Sequence, residues 1–348
     1  MLAANQSVYT ELSLEMEVDI VVPSVWRDDL RPEPYGFARQ ADSAATFHPV
    51  AVFGMGRVQR HIHMCSPVRV LQRLRPDAVI IEEEAFSIAG WRWARAARQL
   101  AIPYAVQSAE NLERALPFVV RWWERRVLSR CAWVMARSPA AGARSQHRGA
   151  STSPEAVDVV AHGIDAVSTH EPRPRRGVVG FVGRCSEAKG VGDLLDIARR
   201  NPDLQFEFAG DGPLRGTIEN GPANVTWRGT LAPSDLEAFY ESIAVLAVPS
   251  RTTPTWSEQF GRVIIEAQAH ATPVVAYDSG EIPWVAAETA VSLVPEGDRD
   301  ALAKELREMA LTTRGVEVGR RGREGVARRF TNRYAAQQVR AFLIRQGS

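Results

Sequence analysis

The chain has 348 residues, enough for two domains, and its 45% hydrophobic and 24% charged content is typical of a globular protein. Its 42 basic and 41 acidic residues nearly balance, so the charge does not favour a surface for nucleic acid. No stretch approaches the ~18 uninterrupted apolar residues of a membrane span.

The cysteines and the N-terminal residues bear on where in the cell the protein resides. Apolar residues near the N-terminus are interrupted by Glu15, Glu17 and Asp19, unlike those of a signal peptide. The cysteines are odd in number and lack the paired spacing of a metal site, which suits a reducing environment. They are Cys65, Cys131 and Cys185. We therefore expect a cytoplasmic protein.

The first half alternates short apolar runs with helical periodicity, which predicts an α/β domain. Parallel strands are expected over residues 18–23, 78–82, 103–107 and 132–136, and helices over 7–16, 91–100 and 116–130. An α/β domain of this type normally opens with a strand and a glycine-rich turn. Here either that segment is missing ahead of the first helix, or the domain lacks it.

Proline and charge replace apolar periodicity over residues 170–176, which predicts an interdomain linker. A second set of βα units follows, with strands expected over 178–183, 204–209, 225–230, 245–248, 273–277 and 291–294. Two closing helices are expected over 322–330 and 332–345. We predict an N-terminal domain over 1–172, a C-terminal domain over 173–330, and a last helix over 331–348.

Glu258 and Glu266 lie eight residues apart, just after the strand-like run 244–250. Eight helical residues rise about 12 Å, roughly the reach from the sugar to the ribose of a nucleotide sugar. One carboxylate could hold sugar hydroxyls and the other ribose hydroxyls, while a helix opening at Phe260 and Gly261 presents N–H groups to a diphosphate. Two glutamates on a solvated helix would show the same spacing by chance.

A second motif follows the strand expected over 178–183. Gly183-Arg184 is succeeded five residues later by Lys189, before a helix. Two cations on flexible backbone at a strand end can clamp a diphosphate and stabilise it as a leaving group. Lys189 and Lys304 are the only lysines in the sequence, which favours a specific need for an ammonium at position 189. The alternative is a solvated loop with ordinary charges.

Two further turns follow strands. Residues 210–213, Gly-Asp-Gly-Pro, are equally consistent with a tight turn and with a backbone that approaches a ligand. Residues 278–283 follow a strand and open a short helix, so they could line the same cleft.

Together these motifs resemble the donor-binding domain of retaining glycosyltransferases of family 4 over residues 178 to about 295. The matching segments, in order, are Gly183-Arg184 with Lys189-Gly190, residues 210–213, Val248-Pro249-Ser250, Glu258-x-Phe260-Gly261-x4-Glu266-Ala267, and residues 272–275. The first half resembles the family more weakly, at 82–84, 110–112 and 159–165. The resemblance implies the GT-B fold: two Rossmann-like βαβ domains facing across a cleft, with a C-terminal helix that crosses back to the N-terminal domain.

The resemblance also implies residue roles. Arg184 and Lys189 would contact the donor diphosphate, Glu258 would hold the transferred sugar near its C3 and C4 hydroxyls, and Glu266 would hold the ribose hydroxyls. The catalytic candidates are thus Glu258, Lys189 and Arg184. Further donor-binding candidates, through phosphate or base contacts, are Gly183, Gly212, Thr230, Leu231, Phe260, Gly261, Arg262 and Val263. Candidates on the acceptor side are Glu110 and Asn111.

The activity implied is transfer of a sugar, hexosyltransferase-like, from a nucleotide-diphosphate sugar to an acceptor hydroxyl, with retention and without a metal or cofactor. The acceptor could be a carbohydrate, a lipid-linked molecule or a small molecule. Two alternatives remain open: a sugar-nucleotide epimerase or hydrolase of the same fold, and an inactive nucleotide-binding subunit. The sequence does not distinguish UDP, GDP and ADP donors.

Three other features are not assigned a role in catalysis or donor binding. Asp298 and Asp300 match a metal-binding Asp-x-Asp, but they precede a helix and are expected to cap it. His61 and His63 are interpreted as solvated or packing residues, because no further ligand has suitable spacing. Residues 121–126 combine aromatic and cationic side chains that could touch an anionic membrane, although packed tryptophans with exposed arginines are favoured.

Overall fold

The computed structural model describes residues 6–27, 33–40, 42–151, 156–165, 167–169 and 176–347. The chain divides into two compact units, Met1–Gly163 with Asn332–Ser348, and Ile164–Thr331. The boundary predicted between residues 172 and 173 is therefore placed too late. The reason is that Ile164 pairs with Thr331 in a parallel bridge, and its N–H donates to the Phe330 carbonyl at 2.9 Å. Of the predicted linker, only Arg176 lies within the described residues.

The first unit contains ten short strands and six helices among its described residues. The strands are β1 (Asp19–Pro23), β2 (Val25–Trp26), β3 (Tyr35–Gly36), β4 (Thr46–Val50), β5 (Val52–Phe53), β6 (Ile62–His63), β7 (Val79–Ile81), β8 (Tyr104–Ser108), β9 (Trp133–Ala136) and β10 (Val157–Val159). The helices are α1 (Ser7–Leu12), α2 (Pro67–Leu74), α3 (Ile88–Gln99), α4 (Phe118–Leu128), α5 (Pro139–Arg148) and the last of the chain, α13 (Asn332–Gly347). The four strands expected from the sequence are present as β1, β7, β8 and β9, and the helix expected over 7–16 ends at Leu12.

Four parallel strands in the order β10-β9-β8-β7 form the main sheet of this unit, and β1 pairs separately with β4, also in parallel. Trp133 of β9 is fully buried and stacks on Phe342 of α13, with ring centroids 4.4 Å apart. The Trp133 indole N–H donates to the Asp158 carboxylate at 3.0 Å, so its polar atom is satisfied within the core. This contact holds α13 in the first unit.

The second unit is built around one sheet of six parallel strands. They are β11 (Val178–Val182), β12 (Gln205–Ala209), β13 (Val225–Gly229), β14 (Val245–Val248), β15 (Val274–Asp278) and β16 (Val291–Pro295). All six expected strands are therefore present. The helices are α6 (Val191–Arg200), α7 (Arg215–Glu219), α8 (Pro233–Ser242), α9 (Arg262–Ala269), α10 (Ile282–Glu288), α11 (Arg299–Leu311) and α12 (Arg314–Arg329).

The order of this sheet, β13-β12-β11-β14-β15-β16, reverses between β11 and β14. The chain runs outward in one direction through β12 and β13 and in the other through β15 and β16. The loops that leave the C-terminal ends of β11 and β14 therefore diverge and open a crevice, which is where ligands bind in sheets of this kind.

The helix predicted over 322–330 is only the second half of α12, which begins at Arg314. Its first half contains two buried glycines, Gly315 and Gly319, which weaken the helical signal in the sequence. Among the described residues, no helix has both the length and the apolar character needed to cross a membrane.

Candidate functional site

The loop after β11 is held against the end of β14 by a close backbone approach. It contains a 3-10 turn, Glu187–Lys189, that ends at Gly190 with φ of +71°. A Cβ atom at Gly190 would lie 2.0 Å from the carbonyl oxygen of Pro249. Only glycine permits this conformation and this approach. The arrangement brings Lys189 to the crevice between β11 and β14.

Lys189 and Glu258 form the central ion pair of this crevice. The Lys189 ammonium lies 2.6 Å from Oε2 of Glu258 and 4.7 Å from the centre of the Trp256 ring. Glu258 is 8% exposed, and a carboxylate removed from water to this extent requires a cation or hydrogen-bond donors. The ammonium carries three N–H donors, so it can pair with Glu258 and still contact an anionic ligand.

Two serines support Glu258. The Ser250 hydroxyl, at the end of β14, donates to Oε2 of Glu258 at 2.8 Å. The backbone carbonyl of Ser250 accepts a hydrogen bond from the Ser279 hydroxyl at 2.5 Å. The backbone N–H of Glu281 donates to the Glu258 carbonyl at 3.0 Å. These contacts use the turn 278–283, which the sequence suggested could line the cleft, and they fix both the backbone and the carboxylate of Glu258.

Glu266 lies on the following helix, but the length argument that linked it to Glu258 is wrong. Helix α9 begins at Arg262, so only the last part of the eight-residue separation is helical. The reason is Gly261, which has φ of +80° and ends the irregular segment that contains Glu258. A rise of 12 Å therefore does not describe the distance between the two carboxylates.

The Glu266 carboxylate is half-buried and hydrogen-bonded. The Tyr240 hydroxyl donates to its Oε2 at 2.9 Å, and the Arg262 guanidinium lies 3.5 Å from its Oε1. Burial, and then the negative charge of Glu266, raise the pKa of Tyr240, so the phenol stays protonated and remains a donor. Tyr240 is a partner that sequence reasoning missed, because it lies on α8 and carries no motif.

The backbone around Gly261 provides the N-terminus of α9. The Phe260 side chain is 3% exposed and packs against Trp284 and Phe330, so only its backbone can meet a ligand. Val263 lies in the first helical turn, where N–H groups lack helical partners and favour an anion.

The predicted residues Gly183 and Gly212 belong to two adjoining loops. The Cys185 N–H donates to the Asp211 carbonyl at 2.9 Å, and the Leu214 N–H donates to the Cys185 carbonyl at 2.9 Å. The loop after β11 is thus joined to the loop after β12. Arg184 lies in the loop after β11 and is exposed, whereas Lys189 is half-buried.

Thr230 and Leu231 follow β13, near a cation and an aromatic ring that sequence reasoning did not single out. The Trp227 indole donates to the Gly210 carbonyl at 2.8 Å, and the Arg215 guanidinium lies 4.0 Å from the centre of the Trp227 ring. Thr230 is exposed and Leu231 is half-buried.

A second charged network in this unit was also missed. Asp193 on α6 is 3% exposed and accepts hydrogen bonds from Arg251 at 2.7 and 2.8 Å and from Arg299 at 2.7 Å. The Tyr277 hydroxyl completes the shell at 3.1 Å. The network joins α6, α11, β15 and the segment after β14.

The acceptor-side candidates lie in the first unit. Glu110 is 4% exposed and pairs with Arg114 at 2.5 Å. The N–H groups of Ala109 and Glu110 donate to Oε1 of Glu84 at 2.7 and 3.0 Å. Asn111 follows Glu110 in the chain. Burial raises the pKa of Glu84 to about 7 against the effect of these two donors.

His61 and His63 are buried, and the expectation that they lack a further ligand is wrong. One ligand atom each from His61, His63 and Glu83 lie within 4.8 Å of one another. However, the Trp93 indole N–H donates to Nδ1 of His63 at 2.9 Å, so the neutral ring carries its proton on Nε2 and offers no lone pair there. The three side chains therefore do not fit a metal as they stand.

The pKa values of His61 and His63 are shifted by their neighbours in this cluster. Nε2 of His61 lies 3.1 Å from Oε1 of Glu83. Burial lowers the pKa of His61, but the contacts with Glu83 outweigh it and the pKa is raised overall. Burial, together with the nearby positive groups His61 and Arg92, lowers the pKa of His63 to about 4.

The interpretation of Asp298 as a helix cap is confirmed. Its side chain accepts a hydrogen bond from the Ala301 N–H at 2.9 Å, at the first turn of α11. Asp300 lies within that helix and pairs with Arg200 at 2.5 Å.

Residues 176–311 match the family model described as "Glycosyl transferases group 1". The chain is 35% identical over 158 residues to the D-inositol 3-phosphate glycosyltransferase of Mycobacterium sp. (strain KMS), a match that covers 38% of this chain and 34% of the relative. The enzyme of the same name from Segniliparus rotundus is 32% identical over 163 residues, covering 40% and 35%. The chain thus matches about a third of the length of these curated relatives.

Solved structures are similar over most of the chain. Sucrose-phosphate synthase from Thermosynechococcus elongatus has a TM-score of 0.70 at 19% identity, over 98% of this chain and 92% of that one. Anabaena HepE, solved in complex with UDP, has a TM-score of 0.69 at 18% identity, over 95% and 100%. The predicted family resemblance and the predicted GT-B fold are confirmed. Residues 176–311 of this chain therefore form a domain of the glycosyl transferases group 1 family, and the chain has the fold of the GT-B glycosyltransferases.

Proposed function

We propose that this chain is an enzyme that transfers a sugar from a nucleotide-diphosphate sugar to an acceptor hydroxyl, with retention of configuration and without a metal. The observation that carries the proposal is the Lys189–Glu258 pair, 2.6 Å apart at the point where the strand order of the second sheet reverses. A carboxylate suited to sugar hydroxyls and an ammonium suited to phosphate lie side by side there.

Each group has a role in the proposed reaction. The bond between the anomeric carbon and the phosphate oxygen breaks, and the nucleoside diphosphate departs with the electron pair. Lys189 and Arg184 stabilise the charge that develops on the diphosphate. The acceptor oxygen attacks the same face of the sugar and gives its proton to the departing phosphate oxygen, so no protein base is required.

Glu258 positions the sugar rather than taking a proton. Its Oε2 is engaged by Lys189 and Ser250, which favours a fixed, charged carboxylate that accepts hydrogen bonds from sugar hydroxyls. Glu266, with Tyr240 behind it, would hold the ribose. Similar structures support a nucleotide-sugar donor: Anabaena HepE was solved with UDP, with UDP and glucose, and with UDP-glucose.

Calorimetric titration with UDP, GDP and ADP, and then with their sugars, tests the donor. Retention is tested by NMR of the anomeric proton in the product formed with a panel of carbohydrate, lipid-linked and small-molecule acceptors, with and without EDTA. We expect one nucleotide to bind clearly and the product to keep the donor configuration, with EDTA having no effect. Binding of none of the three nucleotides, or an inverted product, would contradict the proposal.

The same experiments separate the alternatives. An epimerase or hydrolase would convert the donor at the full rate in the absence of any acceptor. An inactive nucleotide-binding subunit would bind the nucleotide but turn over no donor with any acceptor of the panel.

A further inference from the structure

Helices α3 and α4 of the first unit present a surface of exposed aromatic and cationic side chains. Phe118, Trp122 and Arg126 lie four residues apart along α4 and so share one face of that helix. Phe118 is 80% exposed, Val119 is 60% exposed and Trp122 is 49% exposed, which is unusual for large apolar side chains. We call Phe118, Val119 and Trp122 the apolar tip.

The two tryptophans of α4 have different environments. The Trp123 indole donates to the Phe86 carbonyl at 3.1 Å, and its ring lies 5.9 Å from that of Trp91. The expectation of packed tryptophans therefore holds for Trp123 but is wrong for Trp122. Trp123 is half-buried and Trp122 is at the surface, because the two residues lie on different faces of α4.

Five exposed arginines lie on the same two helices: Arg95 and Arg98 on α3, and Arg121, Arg125 and Arg126 on α4. Within the described parts of the chain, none of the five pairs with a carboxylate. Arg320, by contrast, is exposed and pairs with Glu317 and Glu324. In a chain with a formal net charge of only +1, these two helices present five cations without a carboxylate partner among the described residues.

A groove of about 490 Å³ lies between the two helices, and both types of side chain line it. Arg95 and Arg126 extend along the rings of Trp91 and Trp122, at 5.6 and 5.2 Å from the ring centres. Cation–π contacts of this kind hold a guanidinium over an apolar surface while leaving its N–H groups for an anion. The groove is suited to a phosphate group flanked by hydrocarbon.

We propose that this surface docks the protein on an anionic phospholipid membrane, with the arginines against headgroup phosphates and the apolar tip inserted at the interface. Charge complementarity supports this occupant, because five cations without carboxylate partners match an anionic leaflet. The apolar tip favours lipid over a polyanion such as RNA, because Phe118 and Val119 offer nothing to a phosphate backbone but match the acyl boundary.

Vesicle flotation of the full chain tests the proposal, using phosphatidylcholine alone and phosphatidylcholine with about one third phosphatidylglycerol. We expect binding only to the anionic vesicles. Arg121→Glu/Arg125→Glu should weaken it by about thirtyfold or more, because each arginine at an anionic surface contributes about fivefold. The matched control is Arg69→Glu/Arg73→Glu, two exposed arginines four residues apart on α2, which should bind as the wild type does.

The apolar tip is tested separately. Phe118→Ala should weaken vesicle binding, whereas Phe53→Ala, at a phenylalanine 68% exposed elsewhere in the first unit, should not. Trp122→Phe should remove most of the blue shift of tryptophan fluorescence on addition of anionic vesicles. Lys189→Ala should bind vesicles normally, so failure of the proposed transfer reaction and failure of membrane docking are distinguishable.

Several results would overturn the proposal: no binding to anionic vesicles, equal binding to both vesicle types, or equal loss in the α4 and α2 double variants. Binding of inorganic phosphate that depends on Arg95 and Arg126, without vesicle binding, would make the groove a site for a soluble anion instead. Self-association that is lost in Trp122→Ser, again without vesicle binding, would make the apolar tip a protein interface.

Discussion

The Lys189 ammonium lies 2.6 Å from the Glu258 carboxylate, although 69 residues separate the two in the chain. Their loops leave β11 and β14, which are neighbours in the sheet only because the strand order reverses between them. The pair lies where a parallel sheet offers a crevice to a ligand, and each partner stabilises the other in the absence of one.

Lys189→Ala should lower kcat/KM for sugar transfer by about two to three orders of magnitude, the usual loss when one donor to a developing negative charge is removed. Lys304→Ala is the control, because Lys304 is the other lysine of the chain and is exposed on α11. Steady-state kinetics with the donor found by calorimetry measures both variants. Near-normal transfer by Lys189→Ala, with unchanged stability, would remove Lys189 from the mechanism.

Glu266→Gln should weaken binding of the nucleoside diphosphate by about tenfold or more, as expected when a charged hydrogen bond is lost. If Glu266 contacts the ribose, that loss should be much smaller for the 2′-deoxy nucleotide, which already lacks one of the hydroxyls. Titration of both proteins with both nucleotides completes the cycle. Equal losses for the two nucleotides would show that Glu266 does not contact the 2′-hydroxyl.

Tyr240→Phe tests the residue behind Glu266. It removes the hydroxyl that donates to the Glu266 carboxylate at 2.9 Å, and it should reduce nucleotide affinity less than Glu266→Gln does. A positioning role also predicts an effect on KM for the donor with little change in kcat. A fall in kcat alone would place Tyr240 in the chemical step.

Gly190→Ala should destabilise the second unit by at least about 2 kcal/mol, because position 190 has a positive φ and the new methyl would meet the Pro249 carbonyl. The control is Gly216→Ala in α7, where an added Cβ meets nothing within 4 Å. That substitution should stabilise slightly, by about 0.5 kcal/mol. Urea unfolding measures both, and a Gly190→Ala midpoint at the wild-type value would contradict the close approach.

Glu84→Gln should change how stability depends on pH. Burial raises the pKa of Glu84 to about 7 from 4.5, so the folded protein holds this proton more tightly than the unfolded chain. The stabilisation that comes from this tighter proton binding is fully present below about pH 4.5 and is lost as pH rises toward 7. The loss lowers the free energy of unfolding by about 3 kcal/mol. The stability of the variant relative to wild type should therefore increase between pH 4.5 and 7 in urea titrations.

The exposed Glu237, changed to Gln, is the control for that series. If the difference in the free energy of unfolding between Glu84→Gln and wild type stays constant over this range of pH, the carboxyl of Glu84 is charged in the folded protein. Burial would then not raise the pKa of Glu84.

Local pattern was enough for most of the second unit. The six strands 178–295, the cap at Asp298 and the residues of the donor motifs could be predicted, because apolar periodicity, glycine at strand ends and a capping aspartate act over a few neighbouring residues. Local pattern failed at α12, where buried glycines weaken the helical signal and the start of the helix was predicted too late. It also failed at Gly261, whose φ of +80° delays the start of α9, so the stretch between Glu258 and Glu266 is not one continuous helix.

The sequence by itself determined the fold class, the family of the domain over residues 176–311 and the residue types available at the ends of β11 and β14. Only the tertiary structure decided which of them meet: Lys189 with Glu258 and Ser250, Glu266 with Tyr240, and Glu83 with His61. The boundary at Ile164 and the different exposures of Trp122 and Trp123 were also decided at that level. The reason is that contacts between distant residues depend on strand order and helix packing, which no short stretch of sequence encodes.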